Sequence, residues 1–286
     1  MVYYMRLKDQ FVSFLDIGRV HHMKNDLYDL PDSLYDFAQI PDYHNVIQQL
    51  GGMVEVEDWS YHSTASPGTS LPILENYIKN TYTRLAREKK VAYSKDLKYC
   101  CFDTGLQSRT QREPVYMMFQ ENTNPNVDCY WYFCKFFRKG EYDVNKFSKL
   151  PEMAFYWDDP AKLVYDSRKE LVVNIEHMIQ DNKARFPAPY NAMPDYNLQN
   201  YINGCINSTK EKLKRNYKLA VPQYFITTGT IQLLIPLCLV QPDVADLAIV
   251  VEDYGTMYRA STCLTLDMAI NNARLLARPD RDWLNP

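Results

Sequence analysis

Near the end of the chain, in the stretch YRASTCLTLDMAINNARLLARP, three side chains capable of chemistry recur at helical spacing. Asp267, Asn271 and Arg274 stand at i, i+4 and i+7, so a helix puts them on one face. Arginine offers a planar fork for phosphate or carboxylate, and asparagine can hydrogen-bond bases, amides or hydroxyls. Aspartate can act as a general base or hold a metal ion. Asn272 adjoins this face. Thr262 and Thr265 fall where a strand gives way to the helix, and the free N–H groups of a helix start can hold an anion. The same residues also suit a helix cap and a surface ion-pair ladder, so the pattern admits both uses.

A second constellation is basic. Lys210, Lys212, Lys214, Arg215 and Lys218 face a single carboxylate, Glu211, at the end of a helical stretch. Gln223 and Tyr224 follow closely. Cations interleaved with aromatic rings suit phosphate contact and base stacking. Cations at a helix C-terminus also complement its dipole, which is the competing use. A third candidate is the segment around Thr104 and Gly105, with Arg109 and Arg112 beyond it. It suits a phosphate-binding turn but has neither P-loop nor dinucleotide-fingerprint spacing, and a hairpin with a basic tip competes. No G-x-S-x-G, H-E-x-x-H or kinase signature occurs. His177 and Asp181 are spaced as an acid–base pair, but a capped or surface histidine is the favoured reading. The five histidines show no metal-ligand spacing, so no metal and no cofactor is assigned.

These residues need elements to hold them. An amphipathic stretch, Met5 to Leu15, predicts a helix inside an N-terminal arm, 1–36. Asp42 to Gly51 predicts a short helix ended by Gly51 and Gly52. Leu71 to Lys89 has helical spacing. Four aromatic-rich segments, Val91–Tyr93, Tyr99–Phe102, Val115–Gln120 and Tyr130–Phe137, predict an antiparallel meander. Glu170 to Lys183 predicts a strand continuing as a helix, and Asn197 to Lys218 a long helix. Ile231–Val240, Ala245–Glu252 and Tyr258–Thr262 predict sheet strands, with a tight turn at Gly255. The last helix is expected from about Leu264 to Ala277. The fold class is therefore α+β: N-terminal helices and an antiparallel meander, then helices and a C-terminal mixed sheet closed by a final helix. Residues 37–286 are expected to form one α+β domain, divisible into lobes at 37–150 and 151–286.

Composition narrows the setting. The chain has 286 residues, 46% hydrophobic and 23% charged, which is enough for a sizeable core and excludes general disorder. The net charge of −3 gives no long-range pull on a polyanion, so a nucleic-acid contact must be local. Seven cysteines without regular spacing are not a disulfide framework. The longest apolar run is too short for a bilayer span, and the N-terminus lacks the features of a signal peptide. The expected setting is cytoplasmic, with no membrane contact.

The segments DFAQIPDY, EDWSY, CCFDTGL, AVPQY, IQLLIPLCL and YRASTCLTLDMAINNARLLARPD, taken in order, resemble the bacterial family catalogued as domain of unknown function 3825. The resemblance covers about residues 35–286. It carries no activity, but members resemble modules attached to RNA-binding domains such as cold-shock-like barrels, which implies an RNA-related role. The leading expectation is an RNA- or nucleotide-binding domain with a phosphate-contacting groove near the C-terminal helix. There Asn271, Asn272 and Arg274 contact phosphate or ribose, Lys214 and Arg215 hold the backbone, and Tyr224 stacks. One alternative is an enzyme acting on a nucleotide or RNA phosphodiester in processing, repair or defence, with Asp267 as catalytic base. Another is a protein–protein interaction scaffold, including a homo-oligomer, that uses the tyrosine-rich surface; 23 of the residues are Tyr.

Overall fold

The computed structural model describes residues 30–62, 70–124, 126–127, 129–279 and 284. The expected helix Met5–Leu15 and the loop after His62 lie outside them. Among the described residues there are six α-helices and two mixed five-stranded sheets, an α+β architecture. No helix there is long and apolar enough to cross a membrane. Contacts divide the chain into two units. One combines the residues up to 41 with 82–154, and the other combines 42–81 with those from 155 onward.

The first unit contains α1 (Leu34–Phe37), β1 (Ala38–Gln39), β2 (Ala92–Tyr93), β3 (Tyr99–Gln107), β4 (Pro114–Glu121) and β5 (Trp131–Arg138). The sheet order is β1-β5-β4-β3-β2, antiparallel except where β1 joins β5 in parallel. Rings fill one face: Phe37 packs on Tyr82 at 4.9 Å and edge-on to Phe119 at 5.4 Å. Cys101, Tyr116, Met118, Phe137 and Phe147 fill the other. Alternate residues of one strand thus serve both layers.

Strand β3 runs five residues past its expected end. The reason is a bulge: its register with β4 shifts between Asp103 and Gln107. Gly105 lies there at φ +72°, a conformation that costs a side-chain-bearing residue about 1–2 kcal/mol. The Thr104 hydroxyl, fully buried, donates to the Val115 carbonyl at 2.6 Å and accepts from the Leu106 N–H. The hairpin closes beyond it, with the Ser108 N–H donating to the Glu113 carbonyl.

The second unit holds α2 (Tyr43–Met53), the start of α3 (Pro72–Arg87), β6 (Glu170–Val173), α4 (Ile175–Asn182), α5 (Asp195–Arg215), β7 (Val221–Phe225), β8 (Thr230–Leu237), β9 (Leu247–Asp253), β10 (Met257–Leu264) and α6 (Leu266–Ala273). Asp42 caps α2 by accepting the Asn45 N–H. Gly51 and Gly52 do not end α2; they lie within its last turn. A Cβ on Gly51 would meet Leu71 Cδ1 at 2.8 Å, so this glycine permits a close approach to the entry of α3.

The sheet order is β6-β10-β9-β8-β7, with only the β6–β10 pair parallel. Leu198, Ile202, Ile206 and Leu213 of α5 recur at helical spacing and bury against Leu233, Ile235 and Leu237 of β8. The period of two turns Gln232 and Leu234 to the opposite face. Gln223 pairs in register with Gln232, and Asn272 of α6 donates to Gln223 Oε1 at 3.1 Å. So α6 covers the face that α4 and α5 leave.

Asp103 offers a test of the first unit. It is buried, and burial pushes its carboxyl up to about 6, against the opposing pull of the Gly105 N–H bonded to Oδ1. The unfolded value is about 3.9, so the folded state binds the proton more tightly. The resulting stabilisation is complete below about pH 3.9 and is lost as pH rises to about 6. Asp103→Asn keeps the acceptor and removes the charge. It should raise stability near pH 8 by about 1–3 kcal/mol and change it little near pH 4. Urea unfolding at the two pH values would show this; an equal effect at both would contradict it.

Candidate functional site

Thr265 caps α6, its Oγ1 accepting the Met268 N–H at 3.4 Å. That start phases the helix so that Asp267, Asn271 and Arg274 fall in one line, as their spacing predicts. Facing the line is the segment 57–62. There Trp59 is buried and Glu57 and Tyr61 are partly covered, while Asp58 and His62 are exposed, so the odd-numbered side chains turn inward.

The contacts run in order along the seam. Asp267, 1% exposed, accepts the His62 N–H on Oδ1 at 2.9 Å. One turn on, Asn271 Nδ2 donates to the Tyr61 hydroxyl at 2.8 Å and to the Asp267 carbonyl at 2.9 Å. Asn76 of α3 donates to the same hydroxyl at 2.8 Å and to Asn271 Oδ1 at 3.4 Å. At the far end Arg274 Nε donates to Glu57 Oε1 at 2.6 Å, both side chains being nearly covered. The Arg274 guanidinium carbon lies 4.8 Å from the Trp59 ring centre and 4.7 Å from that of Tyr77. Segment and helix are therefore antiparallel, and the Ile73 N–H bonded to the Trp59 carbonyl ties both to the start of α3.

The electrostatics of this seam are those of a partly dry ion pair. A guanidinium loses hydration readily, stacks on rings and keeps donors in its plane. Among the described residues only Nε is engaged by a carboxylate, which leaves the Nη donors for something else. Trp59 supplies a second donor of this kind. It is 3% exposed, and its Nε1–H has no hydrogen-bond partner among the described residues. Buried donors are nearly always paired, so the enclosed indole N–H of Trp59 is an exception in this seam.

At the rim, His62 Nε2 is 2.8 Å from Asp58 Oδ2, with both side chains open to solvent. Burial pushes the Asp58 carboxyl up, and bonds from Ser60 and His62 outweigh it, so its pKa lies below the usual value.

Residues 50–283 match the model of the family described as domain of unknown function 3825. The chain belongs to that family. No curated protein and no solved structure matches it. The seam joins two segments characteristic of the resemblance to the DUF3825 family, EDWSY and the final strand and helix.

The remaining candidates are distributed elsewhere. Asn272 and Gln223 begin a chain of amides: Gln223 Nε2 donates to Gln232 Oε1, and Gln232 Nε2 to Glu252 Oε1. Thr262 donates to Asn182 Oδ1, which also receives Arg185. Lys214 and Arg215 share Glu211, and Lys212 pairs with Asp243. Tyr224 is fully buried, its ring edge-on to Tyr156 at 4.8 Å, so Tyr217, half exposed, is the ring that faces water near the basic helix end. Thr104, Gly105 and Arg109 belong to the other unit, at the bulge and the hairpin tip. Sequence reasoning missed Glu57, Trp59, Tyr61, His62, Asn76 and Tyr77; the available signal was the alternation in EDWSY.

Glu57→Gln is expected to lower stability by about 3 kcal/mol, because it leaves the Arg274 charge without a counter-charge where water is largely excluded. The double variant Glu57→Gln/Arg274→Met removes both charges and should recover much of that loss. Denaturant unfolding of the three proteins measures the coupling, and strict additivity would contradict the pairing.

Proposed function

We propose that this DUF3825 domain binds RNA or a nucleotide, with the seam between α6 and residues 57–62 taking a phosphate oxygen. The carrying observation is Arg274: its guanidinium lies against two adjoining rings, Trp59 and Tyr77, and is oriented through Nε by Glu57, with Nη donors to spare. Such preorientation lowers the entropy lost when a fork-shaped donor engages a phosphate. The RNA association implied by the family resemblance points the same way. Lys210, Lys214, Arg215 and Lys218, with the exposed Tyr217 ring, supply a local basic surface on an acidic chain.

The test is titration with short single-stranded RNA over a range of salt. Affinity should fall steeply with salt, and Lys214→Glu/Arg215→Glu should shrink the slope by about 1–2 on a log–log plot. Arg274→Lys keeps a charge but loses the fork and should weaken binding about tenfold, while its unfolding curve shows that the domain stays folded. Salt-independent affinity, or unchanged binding by Arg274→Lys, would overturn the reading.

The His62–Asp58 pair favours a second reading, an enzyme acting on an RNA phosphodiester. Asp267 is enclosed and bonded to the His62 N–H, so the proton-transfer role falls to His62, whose imidazole reaches solvent and is oriented by Asp58. RNA cleavage that survives His62→Ala would refute this assignment.

A further inference from the structure

A cavity of about 320 Å³ lies within the second unit, at the end of β8–β10 where the stretch Tyr156–Lys162 crosses it. It shares no lining residue with the α6 seam. Its walls are built before any ligand arrives. The Tyr258 ring stacks on Tyr165 at 4.8 Å and 18°, and its hydroxyl accepts the Asp166 N–H at 2.9 Å. Tyr156 is braced edge-on by Tyr224. Trp157, half-buried, leans on Phe155 at 5.2 Å. Two hairpin glycines, Gly229 at φ +70° and Gly255 at φ +84°, keep part of the lining free of side chains.

The charges fall into two kinds. Asp253 is already held by Lys169 at 2.7 and 2.8 Å, and the same ammonium lies 5.0 Å from the Tyr258 ring centre. Lys162 and Asp158 also line the cavity, and neither makes an ion pair among the described residues. The lining can offer three things to a ligand. Lys162 and Asp158, both open to water, can offer a cation to an anionic acceptor and a carboxylate to hydroxyl or amino donors, and the rings can take a flat apolar surface. Inorganic phosphate meets the first alone, and a nucleoside meets the last two. A nucleoside monophosphate meets all three, and the volume is at the small end of the range for ligand pockets, about 300–1,000 Å³.

We infer that this cavity is a nucleoside-monophosphate site, with Lys162 at the phosphate, Asp158 at ribose or base donors and Trp157 against the base. It stands apart from the RNA contact proposed at Arg274, so either can fail without the other.

The experiment is calorimetric titration of the whole chain with AMP, GMP, CMP and UMP, and with the matching nucleosides and inorganic phosphate. At least one monophosphate should bind about tenfold or more tightly than its nucleoside or phosphate alone. Lys162→Ala and Trp157→Ala should each weaken it about tenfold. Thermal melting confirms that each variant is folded. Absence of binding by all four nucleotides, binding no tighter than phosphate, or unchanged affinity in both cavity variants overturns the site. So does loss in Arg274→Lys with none in Lys162→Ala, which moves the ligand to the seam.

Discussion

The second unit depends on one ion pair taken largely out of water. Arg274 and Glu57 lie 217 residues apart in sequence, and the guanidinium lies against two adjoining rings. Neither charge is tolerable there without the other, because the local dielectric is low and their exposed area small. Once the pair forms, the rest of the seam has a register. Tyr61 falls opposite Asn271 and the His62 N–H opposite Asp267, with α3 supplying Tyr77 and Asn76 to close the gap. A segment without helix or strand hydrogen bonds of its own is thereby fixed by side chains.

On the reading proposed above, the same pair is a structural tie and a recognition element at once. A guanidinium has more donors than one carboxylate oxygen occupies, and its faces can be satisfied by rings while its edge stays polar. Orientation by Glu57 settles the direction of the remaining donors. Asp267 shows the opposite case: it is enclosed, and a backbone N–H occupies one oxygen. Residues on one helical face thus divide between holding the chain and presenting chemistry, and the difference is set by what stands opposite each.

Much of the fold was legible because most elements carry their own periodicity. The α5 stripe, the β8 and β9 apolar runs and the turn at Gly255 follow from spacing alone. The α6 face was legible too, since i, i+4 and i+7 fix which side chains align. Its partner was not: residues 57–62 have no repeat longer than a few alternations, and nothing local says that Trp59 will lie on Arg274. β7 escaped because Pro222 interrupts it, which an edge strand accepts. β3 was cut short because Thr104-Gly105 looks like a turn, whereas pairing resumes beyond the bulge. Tyr224 reads as a stacking ring in the sequence, which carries its chemistry and not its burial.

The discontinuity of the second unit has a consequence for how the chain becomes a protein. Residues 42–81 leave the ribosome early, yet Trp59, Tyr61 and His62 meet Arg274, Asn271 and Asp267 only after α6 has been made. Strands β2–β5 are complete long before that and can pair as they emerge, since their contacts are mostly with neighbours in sequence. The EDWSY segment can meet Tyr77 and Ile73 of α3 early but must wait through most of synthesis for its partners on α6. Such a stretch is a natural docking point for a chaperone and the first place where a truncated product would betray itself to quality control.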